Sequence, residues 1–500
     1  MSERPEAPES EPRGTPADAT RPAEHQVSSA TSAPARWVAA GWARWLPPYT
    51  WVITAIWVVA IVVRVWPLNG VSTEYDEGVY WASLRAMAQG HPLFASVFSS
   101  QPPLFLLCLY PFYLLFGQTL QAARLGVVIY SLLGLGAIFI AGRALGGRWI
   151  GALALALLAL DPLYAAESRT LQAEVPALAF ALVSVALAVL AAQSASSRRR
   201  WLALAAGFAL ALGVTAKLFD VVAIVSVALY LLAPVGAILV DDAQRLRMPA
   251  RDAWWPALRQ AAPDVLVAVA GGLAGLAVVL IPFAGQWSAL YDQVVRFHMA
   301  AGRAVDRGLT ANIHLTLNDG TELLLELVAL ALAGWALARR SWRVVPPALW
   351  VVASLWFLLA QQPLLSHHLT LLVPPLALTV AVALPALAGA SVRTAERSTS
   401  SREGAVASPA VLAGALCAVA LAAGLGVSLV QARQAAAAPE RETVAALALA
   451  AATMPGDLVV TDDQYIAGLA DRDVPPNLVD TSQVRLRAGY LTAQRLEAAA

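Results

Sequence analysis

The sequence predicts a polytopic α-helical membrane protein, because its composition is far more apolar than that of soluble domains. Hydrophobic residues make up 59% of the 500 residues and charged residues only 13%, whereas soluble domains average about 25% charged residues. Many apolar runs are long enough to cross a hydrocarbon core as a helix. The formal net charge of +1 excludes nucleic acid as a partner held by bulk charge.

Residues 1 to 35 are rich in Pro, Glu, Ala, Ser and Thr and contain no apolar run, which predicts a disordered cytoplasmic tail. No apolar stretch near the start resembles a cleavable signal peptide, so the first span is expected to act as an uncleaved anchor. Trp37, Trp42 and Trp45 precede this span and are typical of a membrane interface.

Eleven apolar segments predict membrane-spanning helices within a transmembrane domain over residues 36 to 430. They lie at about Tyr49–Trp66, Ala122–Ala141, Trp149–Tyr164, Val175–Ala192, Trp201–Thr215, Val221–Val240, Val265–Phe283, Leu323–Ala338, Val344–Ala360, Leu369–Ala388 and Val411–Val430. A further apolar run, Pro102–Gly117, is short and has Pro111 in its middle. This pattern favours a helix along the membrane surface.

The distribution of arginine supports leaving Pro102–Gly117 out of the count, because arginine is enriched in cytoplasmic loops. With this run left out, one set of loops holds Arg143, Arg148, Arg198–Arg200, Arg245, Arg247, Arg251, Arg259, Arg339, Arg340, Arg343, Arg393, Arg397 and Arg402. The opposite loops hold Arg85, Arg169, Arg296, Arg303, Arg307 and Lys217. The first set predicts a cytoplasmic N-terminus in a multi-pass plasma-membrane protein, with residues 67–121 as the first outer loop.

The same alternation places residues 431–500 outside the membrane, as a small extracytoplasmic α/β domain. A helical run ends at Pro455-Gly456, and strands are predicted at Asp457–Thr461 and near Leu478–Val479. Thr481 or Ser482 is a candidate cap for a last helix. No return strand follows, which leaves open that this domain is incomplete.

The first outer loop opens with an acidic pair, Asp76 and Glu77, and continues to Gln101-Pro102-Pro103-Leu104. Carboxylates at the mouth of a membrane domain indicate chemistry at the bilayer surface. The two cysteines, Cys108 and Cys417, lie in apolar runs and indicate neither a disulfide nor a metal site.

These residues belong to a longer ordered pattern. It continues with Phe116-Gly117, Ala122-Ala123-Arg124-Leu125, Ala173-Glu174-Val175-Pro176, the Gly213 to Lys217 run and His367-His368. The pattern resembles the polyprenyl-phosphate-dependent membrane glycosyltransferases of the GT-C fold, such as the aminoarabinose transferases of lipid A and the protein O-mannosyltransferases. The resemblance covers about residues 47 to 390. Many relatives carry Lys or His where Gln101 stands.

The resemblance implies an inverting hexosyl- or pentosyltransferase of the GT-C type, with about eleven transmembrane helices and interfacial helices in the first outer loop. Its donor would be a polyprenyl-phosphate sugar in the membrane lipid. Its acceptor would be a hydroxyl of an envelope glycan, lipid or protein on the outer face. No cofactor and no nucleic acid are implied.

Displacing a sugar from a polyprenyl phosphate needs a base for the acceptor hydroxyl and cations for the departing phosphate. The resemblance assigns the base to Asp76, whose alternative is a cap for a helix beginning near Gly78. Glu77 is a candidate for orienting the acceptor or, alternatively, a solvated loop acid.

Glu174 matches the second acidic position of the family, where it would contact the acceptor or steady the base. Its alternative is a helix start, because Glu is favoured there and Pro176 is tolerated in a first turn. Glu167 is a reserve candidate for the second acid. Arg169 lies between the two and is a candidate for substrate binding.

Lys217 is the only lysine beside 33 arginines. Ionisable groups at membrane depth are costly and usually functional. It either pairs with Asp220 or binds the carrier phosphate as a compact point charge. His367 and His368 are either interfacial hydrogen-bonding residues or, by the resemblance, close to that phosphate, which Gln101 would also approach. No third ligand stands at metal spacing from the histidines, so no metal is predicted.

A second hypothesis is a multi-pass transporter or a lipid or glycan flippase, in which Asp76, Glu174 and Lys217 form a substrate or proton path. Such proteins tend to show repeated halves with broken helices, and the sequence shows none. A third hypothesis, an inactive member that scaffolds envelope assembly, is disfavoured because Asp76 and Glu174 are both present.

Overall fold

The computed structural model describes residues 48–70, 74–232, 250–318, 320–338, 341–384, 409–437 and 440–498. The predicted tail, Trp37, Trp42 and Trp45, and the far ends of two predicted spans, up to Val240 and Ala388, lie outside the described residues.

Helices account for nearly all of the regular structure in these ranges. The first half holds α1 (Pro48–Val65), α2 (Tyr75–Ala88), α3 (Pro103–Leu115), α4 (Leu120–Gly146), α5 (Arg148–Ala159), α6 (Pro162–Glu167), α7 (Glu174–Ala192), α8 (Ser196–Ala216) and α9 (Ile224–Leu231). The second half holds α10 (Ala250–Leu280), α11 (Trp287–Tyr291), α12 (Phe297–Ala304), α13 (Gly308–Asn318), α14 (Gly320–Ala338), α15 (Val345–Ala360), α16 (373–384), α17 (Pro409–Ala436), α18 (Glu440–Ala452), α19 (Gln464–Leu469), α20 (Gln483–Arg487) and α21 (Ala493–Glu497).

Short 3-10 turns join several of the helices. They lie at Leu218–Ala223 after α8, Ile281–Gln286 after α10, Trp342–Val344 before α15, Ser366–Leu372 before α16 and Pro476–Leu478 before α20. A π-helical turn, Asp292–Arg296, precedes α12.

Eight helical segments of the described chain are long and apolar enough to cross a membrane, which confirms a polytopic helical protein. They correspond to eight of the eleven predicted spans. The other three fall on shorter apolar helices, α5, α9 with its preceding turn, and the second half of α14. The count of eleven therefore stays a prediction.

Helix α3 is too short to be one of these segments. Its 13 residues extend for about 20 Å, against a hydrocarbon core of about 30 Å. Pro111 lies inside it, and Leu115 and Phe116 at its end are exposed. These features agree with the predicted surface helix.

The bundle is centred on α7, which packs between α4 and α8 and is buried along most of its length. Small residues let neighbouring helices approach closely, as is common in membranes. At Gly207 in α8 an added Cβ would lie 1.8 Å from the Ala268 carbonyl oxygen of α10, and at Gly271 in α10 it would lie 2.0 Å from that of Leu204. This central packing fixes the ends of α7 and α8, where the charged residues lie.

The region after α18 docks against α2. The rings of Trp81 and Tyr465 meet edge to face with centroids 5.9 Å apart. Gly78 is required at this contact, because a Cβ would lie 2.6 Å from the Tyr465 nitrogen. Arg85 donates from Nε to Asp473 at 2.8 Å and forms a second ion pair with Asp471 at 3.0 Å. The start of α2 is thus enclosed by residues from the other end of the chain.

The two strands predicted in this region do not form among the described residues. A single isolated bridge joins Leu458 to Asp473, and Leu478 lies in a 3-10 turn. A strand needs a continuous partner, and this segment contacts α2 through side chains instead. The α/β character therefore stays a prediction, whereas Ser482 does cap α20 by accepting from the Arg485 amide at 3.2 Å.

Candidate active site

A cavity of about 450 Å³ opens at the end of the bundle where α2 begins and α8 ends. This volume lies within the range of about 300 to 1,000 Å³ that is usual for small-molecule sites. Its polar wall is formed by Asp76, Tyr80, Ser100, Gln101, Lys217, His298, Gln361, Gln362, His367, His368, Asp480 and Ser482. Phe219, Phe297 and Phe357 supply part of its apolar wall.

Asp76 lies in the first turn of α2, and Glu74, two residues earlier, occupies the N-cap position. The alternative role of Asp76 as a helix cap is therefore wrong. Its side chain lines the cavity and remains 34% exposed. Withdrawal from bulk water and, next, the negative charge of Asp480 raise the pKa of Asp76 to about 7, although Lys217 opposes the shift. This value suits a group that takes and releases protons near neutral pH.

Glu77 points away from the cavity and is fully buried. Arg124 binds it in a bidentate manner, with both N–O distances at 2.7 Å, and the Leu171 amide donates to it at 2.7 Å. The same guanidinium donates to the carbonyls of Leu68 and Gly70 at 2.7 and 2.5 Å. Glu77 is therefore not a solvated loop acid, because it ties α2 to α4 and to the entry of α7.

Glu174 is the first residue of α7, and Lys217 directly follows α8. Both are buried, and the Lys217 ammonium donates to Glu174 Oε1. Lys217 is thus paired with Glu174 and not with Asp220, which was one of its two alternatives; Asp220 Oδ2 has no hydrogen-bond partner among the described residues. The ammonium also lies 5.0 Å from the Phe219 ring centroid. Glu174 therefore starts a helix, as its alternative role predicted, and it also binds the Lys217 ammonium in the cavity wall.

His367 connects this ion pair to Asp76. Its Nε2 lies 3.6 Å from Glu174 Oε1 and 3.9 Å from Asp76 Oδ2. Its Nδ1 lies 4.0 Å from Glu74, a half-exposed acid whose pKa is raised by partial burial and by Glu77. His368 packs edge to face on His367 with centroids 4.5 Å apart, and its Nδ1 accepts from the Leu365 amide at 3.2 Å.

Glu174, His367 and His368 are the described residues that are able to hold a metal ion, since their ligand atoms lie within 4.8 Å of one another. Glu174 could not be predicted as a third ligand from the spacing of residues in the sequence, because it is far from the two histidines along the chain. The Lys217 ammonium competes for the same carboxylate. The absence of a metal stays a prediction.

Gln101 lies in the cavity wall near the side chain of Tyr80. Arg169 and Glu167 do not line the cavity. Arg169 donates to the Ala165 carbonyl at 3.2 Å. Glu167 is buried, and burial together with the charge of Glu174 raises its pKa well above the usual value. Neither candidate for the second acid lines the cavity, but Glu174 pairs with Lys217 and lies 3.6 Å from His367, and both of these residues line it.

Sequence reasoning did not find Asp480 and Ser482. They enter the wall from the region after α18, and no pattern around them signals a site. Their position follows only from the docking of that region on α2, which rests on the Trp81–Tyr465 contact and the Arg85 ion pairs.

Residues 100–242 match the model of the family described as dolichyl-phosphate-mannose-protein mannosyltransferase. Comparison with curated protein sequences finds no match.

Two solved structures show what the fold is similar to. ArnT from Cupriavidus metallidurans bound to undecaprenyl phosphate has 18% identity and a TM-score of 0.60, over 90% of this chain and 89% of that one. AglB, the oligosaccharyltransferase of Archaeoglobus fulgidus in complex with an inhibitory peptide and a dolichol-phosphate, has 13% identity and a TM-score of 0.51, over 86% and 64%. The resemblance to GT-C glycosyltransferases predicted from the sequence is thereby confirmed.

Proposed function

We propose that this chain transfers a sugar from a polyprenyl-phosphate carrier to an acceptor hydroxyl on the outer face of the membrane, with inversion at the anomeric carbon. The observation that carries the proposal is the order of charges along the cavity. Lys217 is held by Glu174 at one end, His367 follows, and Asp76 comes next.

In the proposed step Asp76 accepts the proton of the acceptor hydroxyl. The acceptor oxygen forms a bond to the anomeric carbon, while the bond between that carbon and the phosphate oxygen breaks. The electron pair leaves with the polyprenyl phosphate, whose negative charge Lys217 would stabilise. No general acid is needed, because phosphate is a stable leaving anion.

Attack and departure on opposite sides of the sugar require the base and the cation to be separated. In the structure His367 lies between Asp76 and the Glu174–Lys217 pair, which supplies this separation. His368 and Gln101 line the same cavity and are proposed to contact the donor headgroup. Charged residues gather at the ends of α7 and α8 and not at mid-helix, which favours an enzyme over a transport path.

The test uses membranes that contain the full chain and labelled polyprenyl-phosphate sugars, namely mannose, glucose, galactose and arabinose. Asp76→Asn keeps the shape of the side chain and removes the base. We expect it to lower transfer at least 100-fold, within the usual contribution of a general base, and to leave binding of undecaprenyl phosphate unchanged. Equal transfer by the variant and the wild type would show that the base is assigned wrongly.

A further inference from the structure

The segment 457–490, here called the C-terminal segment, supplies Asp480, Ser482 and Val484 to the cavity wall. The hydroxyl of Tyr75 accepts from the Thr481 amide at 3.1 Å and lies 3.3 Å from the Thr481 hydroxyl. Because Tyr75 and Asp76 are adjacent, this contact places Asp480 and Ser482 close to Asp76 in the wall of the same cavity.

The Asp480 side chain is held in place, and its carboxylate keeps the capacity to accept a further hydrogen bond. Residue Asp480 is only 6% exposed, and one carboxylate oxygen accepts from the Ser482 amide at 2.8 Å. Arg485 donates to the Asp480 carbonyl at 2.5 Å and to that of Asn477 at 2.9 Å, and its guanidinium lies 3.8 Å from the Phe98 ring centroid. Arg485 therefore fixes the turn, and no basic side chain of the described chain forms an ion pair with the Asp480 carboxylate.

We propose that Asp480 and Ser482 form a subsite for a second hydroxyl of the acceptor, next to the hydroxyl that Asp76 deprotonates. This inference rests on the proposed transferase function and adds the acceptor class, a molecule with adjacent hydroxyls such as a glycan or another polyol.

The chemistry of the subsite matches a hydroxyl group. A carboxylate accepts hydrogen bonds only, whereas a serine hydroxyl also donates. A hydroxyl both donates and accepts, so it is able to donate to the Asp480 carboxylate and to accept from the Ser482 hydroxyl, whose oxygen already accepts from the Arg485 amide. Lys217 is paired with Glu174, and His367 lies 3.6 Å from that carboxylate; since this group is assigned to the donor phosphate, Asp480 and Ser482 are assigned to the acceptor.

The first test compares glycerol with 1-propanol as acceptor, using the labelled donor that the wild type accepts. The two alcohols have the same number of carbons but only glycerol has adjacent hydroxyls. We expect about a tenfold preference for glycerol, the size of one hydrogen bond to a charged group. Asp480→Asn should reduce the preference to about twofold or less while transfer to 1-propanol continues.

The matched control is Asp462→Asn, which removes an exposed carboxylate from the same segment away from the cavity. It should keep the preference. A wild type without preference, or an Asp480→Asn variant that keeps it, overturns the subsite. If Asp76→Asn abolishes transfer but Asp480→Asn changes nothing, the subsite alone is wrong. If the wild type transfers no sugar from any donor, the proposed transferase function is wrong, and the subsite that rests on it is wrong as well.

A second measurement tests whether the Asp480 carboxylate lies close enough to Asp76 to act on the same acceptor. The charged groups around Asp76 are Asp480, Lys217, Glu174 and Glu74, with His367 at 3.9 Å. Removing the negative charge of residue 480 makes ionised Asp76 less unfavourable. The acid limb of transfer to 1-propanol should therefore move to lower pH in Asp480→Asn and stay in place in Asp462→Asn. An unmoved limb contradicts the proposed proximity.

Discussion

Asp76 and Glu77 are neighbours in the sequence with opposite surroundings. Asp76 faces the cavity and is partly exposed, whereas Glu77 is fully buried and bound by Arg124. The residue types and their place after the first span could be predicted from the sequence. Which acid faces the cavity depends on the helix phase set when α2 begins at Tyr75, a residue that no sequence signal marks as the start.

Transfer by the wild type should depend on the ionisation of Asp76. Its pKa is raised to about 7 by withdrawal from water and by neighbouring carboxylates, and a base acts only when ionised. The rate at limiting acceptor should therefore rise with pH through about 7 and fall tenfold per pH unit below it. Binding of undecaprenyl phosphate serves as the control, measured over the same range. An acid limb near pH 4 would contradict the assignment.

Lys217 is paired with Glu174 and is expected to bind the donor phosphate in addition. In Lys217→Met, binding of undecaprenyl phosphate should weaken by about 10- to 100-fold, the range of a charge-assisted hydrogen bond. Part of this loss could come from the unpaired Glu174 carboxylate. The double variant Lys217→Met/Glu174→Gln removes that charge and should still bind weakly. Full recovery of binding would show that Lys217 only neutralises Glu174.

Glu77 is expected to position α2 and not to react. Replacing it with Gln leaves the buried Arg124 charge without its partner, a change that costs about 3 to 5 kcal/mol in other proteins. Glu77→Gln should lower the midpoint of thermal unfolding in detergent clearly, and Asp76→Asn, its matched neighbour, should not. A Glu77→Gln variant that is as stable as the wild type but inactive would instead place Glu77 in the chemistry.

At the scale of elements, apolar segments predict the long helices well, because a membrane requires about 20 apolar residues whatever their neighbours are. The first span, Tyr49–Trp66 in the prediction, is Pro48–Val65 in the structure. The strand predicted at Asp457–Thr461 does not form in the described chain, because a short apolar run becomes a strand only if a partner lies beside it. Leu458 meets only Asp473.

The contact between α8 and α10 gives a prediction at this scale. Gly207→Ala adds a Cβ 1.8 Å from the Ala268 carbonyl oxygen, so the helices must separate. Overpacking of this kind costs about 1 to 3 kcal/mol, which should lower the midpoint of thermal unfolding. The control is Gly136→Ala in α4, where a Cβ meets nothing within 4 Å and should be neutral or slightly stabilising. Equal midpoints for the two variants would contradict this close packing.

At the scale of the whole molecule, the cavity is built from parts of the chain that are distant in sequence. Asp76 comes from α2, Lys217 from the end of α8, His367 from the turn before α16 and Asp480 from the C-terminal segment. A family pattern identifies the first three because they stand in recognisable motifs. Asp480 has no motif, and only the docking of its segment on α2 brings it to the wall.

The proposed sidedness can be tested on the same molecule. Arginine-rich loops, including Arg198–Arg200 at the start of α8, predict the cytoplasmic side, and Asp76 with the C-terminal segment is proposed to lie outside. The native cysteines, Cys108 and Cys417, are buried, so cysteines introduced at exposed positions report on their own side. Ser197 and Asp462 are both exposed.

In right-side-out vesicles a membrane-impermeant maleimide should label Asp462→Cys and leave Ser197→Cys unlabelled. Opening the membrane with detergent should make both variants reactive, which controls for burial. The reverse pattern would put the cavity in the cytoplasm. In that case the donor sugar would have to be presented on the inner leaflet, and the positive loops would face outward against the usual rule. Labelling of both variants in sealed vesicles would place the C-terminal segment, which lines the cavity where α8 ends, on the same side of the membrane as Ser197 at the start of α8. That result is incompatible with α8 as a spanning helix.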